Sequence, residues 1–180
     1  MAVLRVDAQR NLDRILAAAS DAYAEVGPDV TIDEIARRAG VGHGTVFRRF
    51  PTKDALRAAV IDARLAEMLT AATKLLERPD AGAALDEFIW FAADCCRRDR
   101  ALFESLEKCA DLDVADAKQE LHDTVDKMIR RARRQGAVRR QLDSRDIGAL
   151  VGAAIQASAH ADRPDDWRRY VQIVLDGLRP

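Results

Sequence analysis

Residues 31–53 read TIDEIARRAGVGHGTVFRRFPTK. Thr31 stands three residues before Glu34, a capping-box spacing that opens a short helix to about Ala39. Gly40 permits a turn that a β-carbon would resist, and a second short helix runs from about Gly44 to Phe50. Ile35, Val46 and Phe50 are spaced to fill a small core, and Ala36 and Ala39 let the helices cross closely. Two short helices around a tight turn form a helix-turn-helix pattern, whose second helix lies in the DNA major groove with its N-terminal residues toward base edges.

Local charge supports that chemistry. From Ile35 to Arg57 the basic residues are Arg37, Arg38, Arg48, Arg49, Lys53 and Arg57, against the single acid Asp54, a net +5. Such a patch can hold phosphates and steer association. A bare charge cluster is more often a solvated helix face, but its coincidence with the turn pattern reverses that preference. The whole chain hides the patch, with 29 basic and 30 acidic residues: residues 1–64 sum to +1 and residues 65–180 to −2.

The elements that must position these residues are helices. A stripe of Leu12, Ile15, Leu16, Ala19, Tyr23 and Val26 marks the first, which Gly27-Pro28 stops. Pro51 breaks the chain again, and Thr52 caps a long fourth helix over about 53–78. After Pro79-Asp80-Ala81-Gly82 come helical patterns at about 83–98, 100–110 and 114–135, with Gly136 as a C-cap. Ser144 opens a helix carrying Ile147, Leu150, Val151, Ala154 and Ala157; Arg163-Pro164-Asp165 ends it, and a last helix carries Trp167, Tyr170, Val171, Val174 and Leu178. There is no β-alternation of any length and no internal repeat.

Composition agrees. Alanine is the commonest residue, at 33 of 180, while glycine numbers 9 and proline 5, which excludes collagen-like and low-complexity chains. No apolar run approaches 18 residues, so no membrane span is expected, and no secretory signal is readable at the start. Three cysteines, Cys95, Cys96 and Cys109, are an odd count that argues against a disulfide framework and fits a cytoplasmic setting. No Walker A, GxSxG, HExxH or paired-cysteine metal motif is present, so neither catalysis, a cofactor nor a metal is expected.

The stretches RNLDRILAAASDAYAEVG and TIDEIARRAGVGHGTVFRRFPTKDAL resemble the DNA-binding domain of the TetR family of transcriptional regulators. The ending, GAVRRQLDSRDIGALVGAAIQASAHADRPDDWRRYVQIVLDGLRP, looks like this family's regulatory domains, less specifically. The resemblance implies an all-α protein of about nine helices. A three-helix helix-turn-helix domain at 1–52 would precede a ligand-sensing and dimerisation bundle at 53–180, with the fourth helix as the link.

Carried over by position, Thr31 would cap the second helix and touch a phosphate. His43, Gly44 and Thr45 would open the recognition helix, with Thr45 at a base or a thymine methyl. Arg48 would reach a guanine edge or a phosphate, Arg49 a phosphate, and Lys53 another at the start of the fourth helix. Arg5, in an N-terminal arm, would add a contact of its own. Phe47 stands where the family often has tyrosine, keeping the stacking surface without the hydroxyl. His43 stands where serine, lysine or arginine is frequent, so its readout is open.

The same resemblance implies a small apolar ligand held among helices 4 to 7. Met68, Phe88, Trp90, Phe91, Cys95, Phe103, Leu106, Cys109, Val125, Met128 and Ile129 are the lining candidates, although aromatics at helical spacing more often pack a core. Adjacent Cys95 and Cys96 point about 100° apart and read best as inert thiols. Arg130, Arg131, Arg133, Arg134, Arg139 and Arg140 read as a helix C-terminus favoured by its dipole. The last two helices would pair with a second copy through Ile147, Leu150, Val151, Ala154, Trp167, Tyr170, Val174 and Leu178. Together these imply a cytoplasmic homodimeric repressor released from a palindromic operator by a small molecule. The alternative is a DNA-binding dimeric regulator without a ligand.

Overall fold

The computed structural model describes the chain except Met1, Pro28, 101–113, Arg140, 160–162 and Pro164, and gives only the backbone course of residues 2–6. The expected helix at 100–110 therefore lies almost wholly outside the described residues. Eight helices and no strand are found among the described residues: α1 (Ala2–Val26), α2 (Ile32–Ala39), α3 (His43–Arg49), α4 (Lys53–Leu76), α5 (Ala81–Arg98), α6 (Ala115–Arg134), α7 (Ser144–Ser158) and α8 (Asp166–Leu178). The all-α expectation holds. Helix α1 already begins at Ala2, so the backbone at Arg5 is helical rather than an extended arm. No helix among the described residues is long and apolar enough to cross a membrane.

The expected breakers act where their chemistry places them. Gly27 ends α1 at φ +88°, its N–H donating to the Tyr23 carbonyl at 3.0 Å. Thr52 Oγ1 accepts from the Ala55 N–H at 3.0 Å and starts α4. Gly136, at φ +74°, closes α6, and the following Ala137 N–H reaches back to the Ala132 carbonyl. One cap differs from expectation. Asp143, not Ser144, caps α7: its carboxylate accepts from the Arg145 and Asp146 N–H groups, and Asp146 returns the bond to the Asp143 N–H. A carboxylate serving two amides outcompetes the neighbouring hydroxyl. Ser144 is buried instead, with His122 Nδ1 3.1 Å from its Oγ. Burial is the main influence that lowers the His122 imidazole pKa.

The chain divides into two compact units, Met1–Arg64 with Asp99–Ala115, and Leu65–Arg98 with Asp116–Pro180. Leu56, Val60 and Ile61 of α4, each at most 1% exposed, lie within the first unit. Its other buried residues include Ile15, Ala19, Ala22, Tyr23, Ile35, Ala36 and Val46. The second unit has a continuous apolar core drawn from the end of α4 and from α5, α6, α7 and α8. Arg131 donates to the carbonyls of Leu76 and Arg78, satisfying the open end of α4, and Gln135 bonds both the Ala81 N–H and the Pro79 carbonyl around the following turn.

One buried polar cluster stands out in the first unit. Asp99, 2% exposed, accepts from the Ser20 hydroxyl of α1 at 2.7 Å and pairs with Arg64 Nε of α4 at 2.8 Å. Arg64 also donates to Ser20 Oγ at 2.8 Å. A carboxylate directly following α5 in the chain thereby joins two helices of the first unit. Removing one partner of a buried pair leaves the other uncompensated. Asp99→Ala is therefore expected to destabilise the protein by about 3 kcal/mol in urea unfolding, whereas Asp99→Asn, retaining an acceptor for Ser20, loses less.

Candidate nucleic-acid interface

Half of the expected capping box forms at α2: Thr31 Oγ1 accepts from the Glu34 N–H at 3.2 Å, while the Glu34 carboxylate is taken by Arg37 and Arg38. Ile35, Ala36 and Ala39 are the buried face of α2. Gly40 then turns left-handed, at φ +64° and ψ +37°, and the Val41 N–H returns to the Ala36 carbonyl at 3.0 Å. This is the glycine-terminated helix end in which αL geometry satisfies the last carbonyls. Arg14 of α1 donates to the Gly40 carbonyl at 3.3 Å. A β-carbon at Gly40 would stand 2.5 Å from that guanidinium.

Helix α3 starts after the extended Gly42, whose carbonyl accepts from the Thr45 N–H at 2.9 Å. Val46 is fully buried and anchors the helix, and Phe50 just beyond it is buried too. The opposite face is bare. His43, Gly44, Phe47, Arg48 and Arg49 are exposed, and Thr45 is half-buried. Phe47 leaves 51% of its surface to solvent, unusual for so large an apolar ring. It stacks with His43 at 6.0 Å between ring centroids and 15° between planes. The ring edge of His43 holding Nδ1 meets the Asp33 carboxylate of α2. Arg48 Nε folds back onto the Gly44 carbonyl at 3.1 Å. A β-carbon at Gly44 would meet only open space, so nothing within the protein requires that glycine.

The +5 patch is not uniform. Arg37 makes a two-point contact with Glu34, and Arg38 pairs with both Glu34 and Glu25. Hydrogen bonds from Arg37 and then Arg38 hold the Glu34 carboxyl down at about 2. Arg57 pairs with Asp54 at 3.2 Å. Half of these cations are thus engaged inside the domain, and the pairing acids Glu25 and Glu34 lie before the Ile35–Arg57 segment. Arg49 and Lys53 make no ion pair or hydrogen bond with another described residue. The cations left for an external anion cluster on α3 and at the first turn of α4.

In the second unit, Met68, Phe88, Cys95, Val125, Met128 and Ile129 are buried, and Trp90 and Phe91 are half-buried. Phe88, Val125, Met128 and Ile129 belong to the apolar core and Trp90 packs against it. Phe103, Leu106 and Cys109 lie outside the described residues. A surface cleft of about 520 Å³ is lined by other residues, among them Arg133, Val138, Arg139 and Leu142. Cys95 is fully buried and Cys96 partly so.

Of the residues read as a dimer face, Ile147, Val151, Ala154, Trp167 and Leu178 are buried within the single chain. Trp167 and Trp90 meet edge to face at 5.9 Å between centroids, and Trp167 is flanked by the guanidiniums of Arg97 and Arg168. Leu150 remains 45% exposed, and Tyr170 and Val174 are half-buried. Ile173, absent from the expected set, is 58% exposed. Sequence reasoning also passed over Asp33 and Arg14. Neither carries a local signal, because their partners lie 10 and 26 residues away.

Residues 15–60 match the family model described as bacterial regulatory proteins, tetR family, and residues 80–180 match that of the transcriptional regulator SbtR-like C-terminal domain. A TetR transcription regulatory protein from Mycobacterium vanbaalenii is similar over 98% of this chain and 99% of its own, at 37% identity and a TM-score of 0.74. A TetR transcriptional regulator from Streptomyces coelicolor is similar over 93% of this chain and 98% of its own, at 30% identity and the same TM-score. An HTH-type transcriptional repressor of Mycobacterium tuberculosis is 57% identical over 49 residues, 27% of this chain and only 26% of that protein.

Two outcomes follow from this geometry. Gly40→Ala should cost about 1–2 kcal/mol in urea unfolding, because a β-carbon strains the left-handed conformation and displaces Arg14. Glu34 ordinarily titrates near 4.5 and here near 2, so the native state binds fewer protons than the unfolded one between those values. Its contribution to stability is complete above pH 4.5 and is lost as pH falls toward 2. The gap in urea midpoint between wild type and Glu34→Gln should accordingly narrow over that window.

Proposed function

The chain belongs to the TetR family of bacterial transcriptional regulators, and from that premise we propose that it is a homodimeric, ligand-responsive repressor that binds a palindromic operator. Regulators of this family bind DNA and are dimeric, and some take small ligands. The observation that carries the reading is the exposed face of α3. A large apolar ring, a small threonine, a glycine open to close approach and two arginines share a helix anchored from behind by Val46. Phe47 would meet sugar or a thymine methyl. Thr45 and Arg48 would face base edges, with Arg48 exchanging the Gly44 carbonyl for a base acceptor. Thr31, Arg49 and Lys53 would take phosphates.

Dimerisation would use the outer faces of α7 and α8. Leu150 and Ile173 are the exposed large apolar residues there, beside the exposed small residues Gly148, Ala149, Ala153, Ala157 and Gly177. Small residues permit close helix approach, and a two-fold axis would make the patch self-complementary. It would set the two α3 helices about one DNA turn apart, roughly 34–36 Å. Ile147, Val151, Ala154, Trp167 and Leu178 serve this face from behind, as its packed support.

The sensing role would belong to the second unit, whose core is almost wholly apolar and would suit a small apolar ligand. Because Phe88, Val125, Met128 and Ile129 belong to that core and Trp90 packs against it, ligand entry there would require it to open. A ligand that favours the opened geometry would shift the population of DNA-competent dimers. The close packing of Phe88, Val125, Met128 and Ile129 equally favours a second reading, a regulator that binds DNA as a dimer without a ligand. In either case the protein would work in the cytoplasm.

Selection from a genomic fragment library should enrich a two-fold symmetric site, and an unenriched pool would overturn the function. On the selected site, Arg49→Ala and Lys53→Ala should each weaken binding and lower the slope of log affinity against log salt by about one unit per subunit. Arg48→Ala and Thr45→Ala should instead change which sequences are preferred.

A further inference from the structure

Asp33 is the second residue of α2, and 77% of its side-chain surface is exposed. A carboxylate beside a DNA-facing helix is an electrostatic cost, since it repels the same phosphates that Arg49 and Lys53 attract. Its position near a helix N-terminus offsets part of that cost through the macrodipole. The macrodipole does not explain where the carboxylate points: across the turn, to the Nδ1 edge of His43 on α3. The imidazole is held on a second side by the Phe47 ring, stacked at 15°. Two of the ring's surfaces are therefore assigned, and its side chain remains 54% exposed.

We propose that Asp33 is a specificity-determining positioning residue, which fixes the His43 imidazole so that its Nε2 edge reads one base pair in each half-site. The proposal rests on the reading that α3 enters the major groove. A carboxylate accepts only, so Nδ1 must carry the proton of this hydrogen bond. The partner of one ring nitrogen thus sets the role of the other, and Nε2 is the nitrogen left to face a base edge. The Phe47 stack removes the remaining rotation about the ring's own axis. Asp33 contributes no contact to DNA itself. It restricts the rotamers of a base-reading side chain before binding, which lowers the ordering cost of the correct contact.

The test is selection from a randomised duplex library with the full-length protein, followed by affinities on single-base variants of the selected site. Wild type should enrich a symmetric motif. Asp33→Ala and His43→Ala should each reduce discrimination at the same single base-pair position by roughly tenfold and leave the other positions unchanged. In the His43→Ala background, Asp33→Ala should change that position no further, because it acts only through the ring. Asp33→Asn, which keeps an oxygen acceptor for Nδ1, should restore most of the discrimination. If Asp33→Ala leaves every position unchanged, or flattens all of them together with a fall in melting temperature, the positioning role is overturned while the DNA-reading function stands. A wild-type protein that enriches no motif would overturn that function and the positioning role with it.

Discussion

The left-handed turn at Gly40 is the constraint on which the reading head depends. Helix α3 is seven residues long, too short to hold itself together in water by its own hydrogen bonds. Its direction is set from outside. The Gly40 and Val41 N–H groups are tied to the last carbonyls of α2, and Arg14 of α1 holds the Gly40 carbonyl. Val46 is sealed beneath the helix. An error of a few tens of degrees at one φ angle would swing His43, Thr45 and Phe47 together. A left-handed conformation that strains any side chain therefore sits at the joint that aims the helix.

The same economy governs charge. A net −1 over the chain is compatible with an anionic partner because the domain sorts its cations by partner. Arg37, Arg38 and Arg57 are neutralised by Glu34, Glu25 and Asp54, which links α2 back to α1 through Glu25 and reinforces the first turn of α4. Pairs as exposed as these contribute little stability one by one. Their larger consequence is spatial. Neutralising the cations of α2 narrows the positive surface to α3 and the start of α4, so the field points where phosphates would be held.

What was legible in the sequence was what local chemistry decides. Gly27, Gly40, Pro51 and Gly136 each impose a backbone limit that no neighbour can overrule, and Thr31 and Thr52 cap the helices that follow them. The buried triad Ile35, Val46 and Phe50 was readable from spacing alone. Where two adjacent residues compete for one role, as Asp143 and Ser144 do, the decision turned on a reciprocal bond from Asp146. The outer face of α7 and α8 was harder. Each helix carries apolar residues on more than one side, and a periodic stripe does not say which side meets its own core. Ile147 and Val151 turned inward, while Leu150 and Ile173 stayed out. The contacts from Ser20 to Asp99, from Arg14 to Gly40 and from Asp33 to His43 are products of the fold, joining residues that no local pattern associates.

The recognition surface finally divides by how firmly its side chains are held. His43 is fixed by Asp33 and Phe47, and Arg48 rests on the Gly44 carbonyl. Arg49 and Lys53 make no such bond with a described residue. This matches the two tasks of a DNA-binding surface. Base reading demands a defined direction, and a side chain already ordered loses less entropy on finding its partner. Phosphate contact demands charge and reach but carries no sequence information, so long unrestrained cations perform it well and tolerate variation in groove geometry. His43 opens α3 and Phe47 stacks on it one turn later, Arg48 and the unrestrained Arg49 close the helix, and Lys53 opens α4. That division between held and unheld side chains is the arrangement expected when specificity and affinity are supplied by different residues.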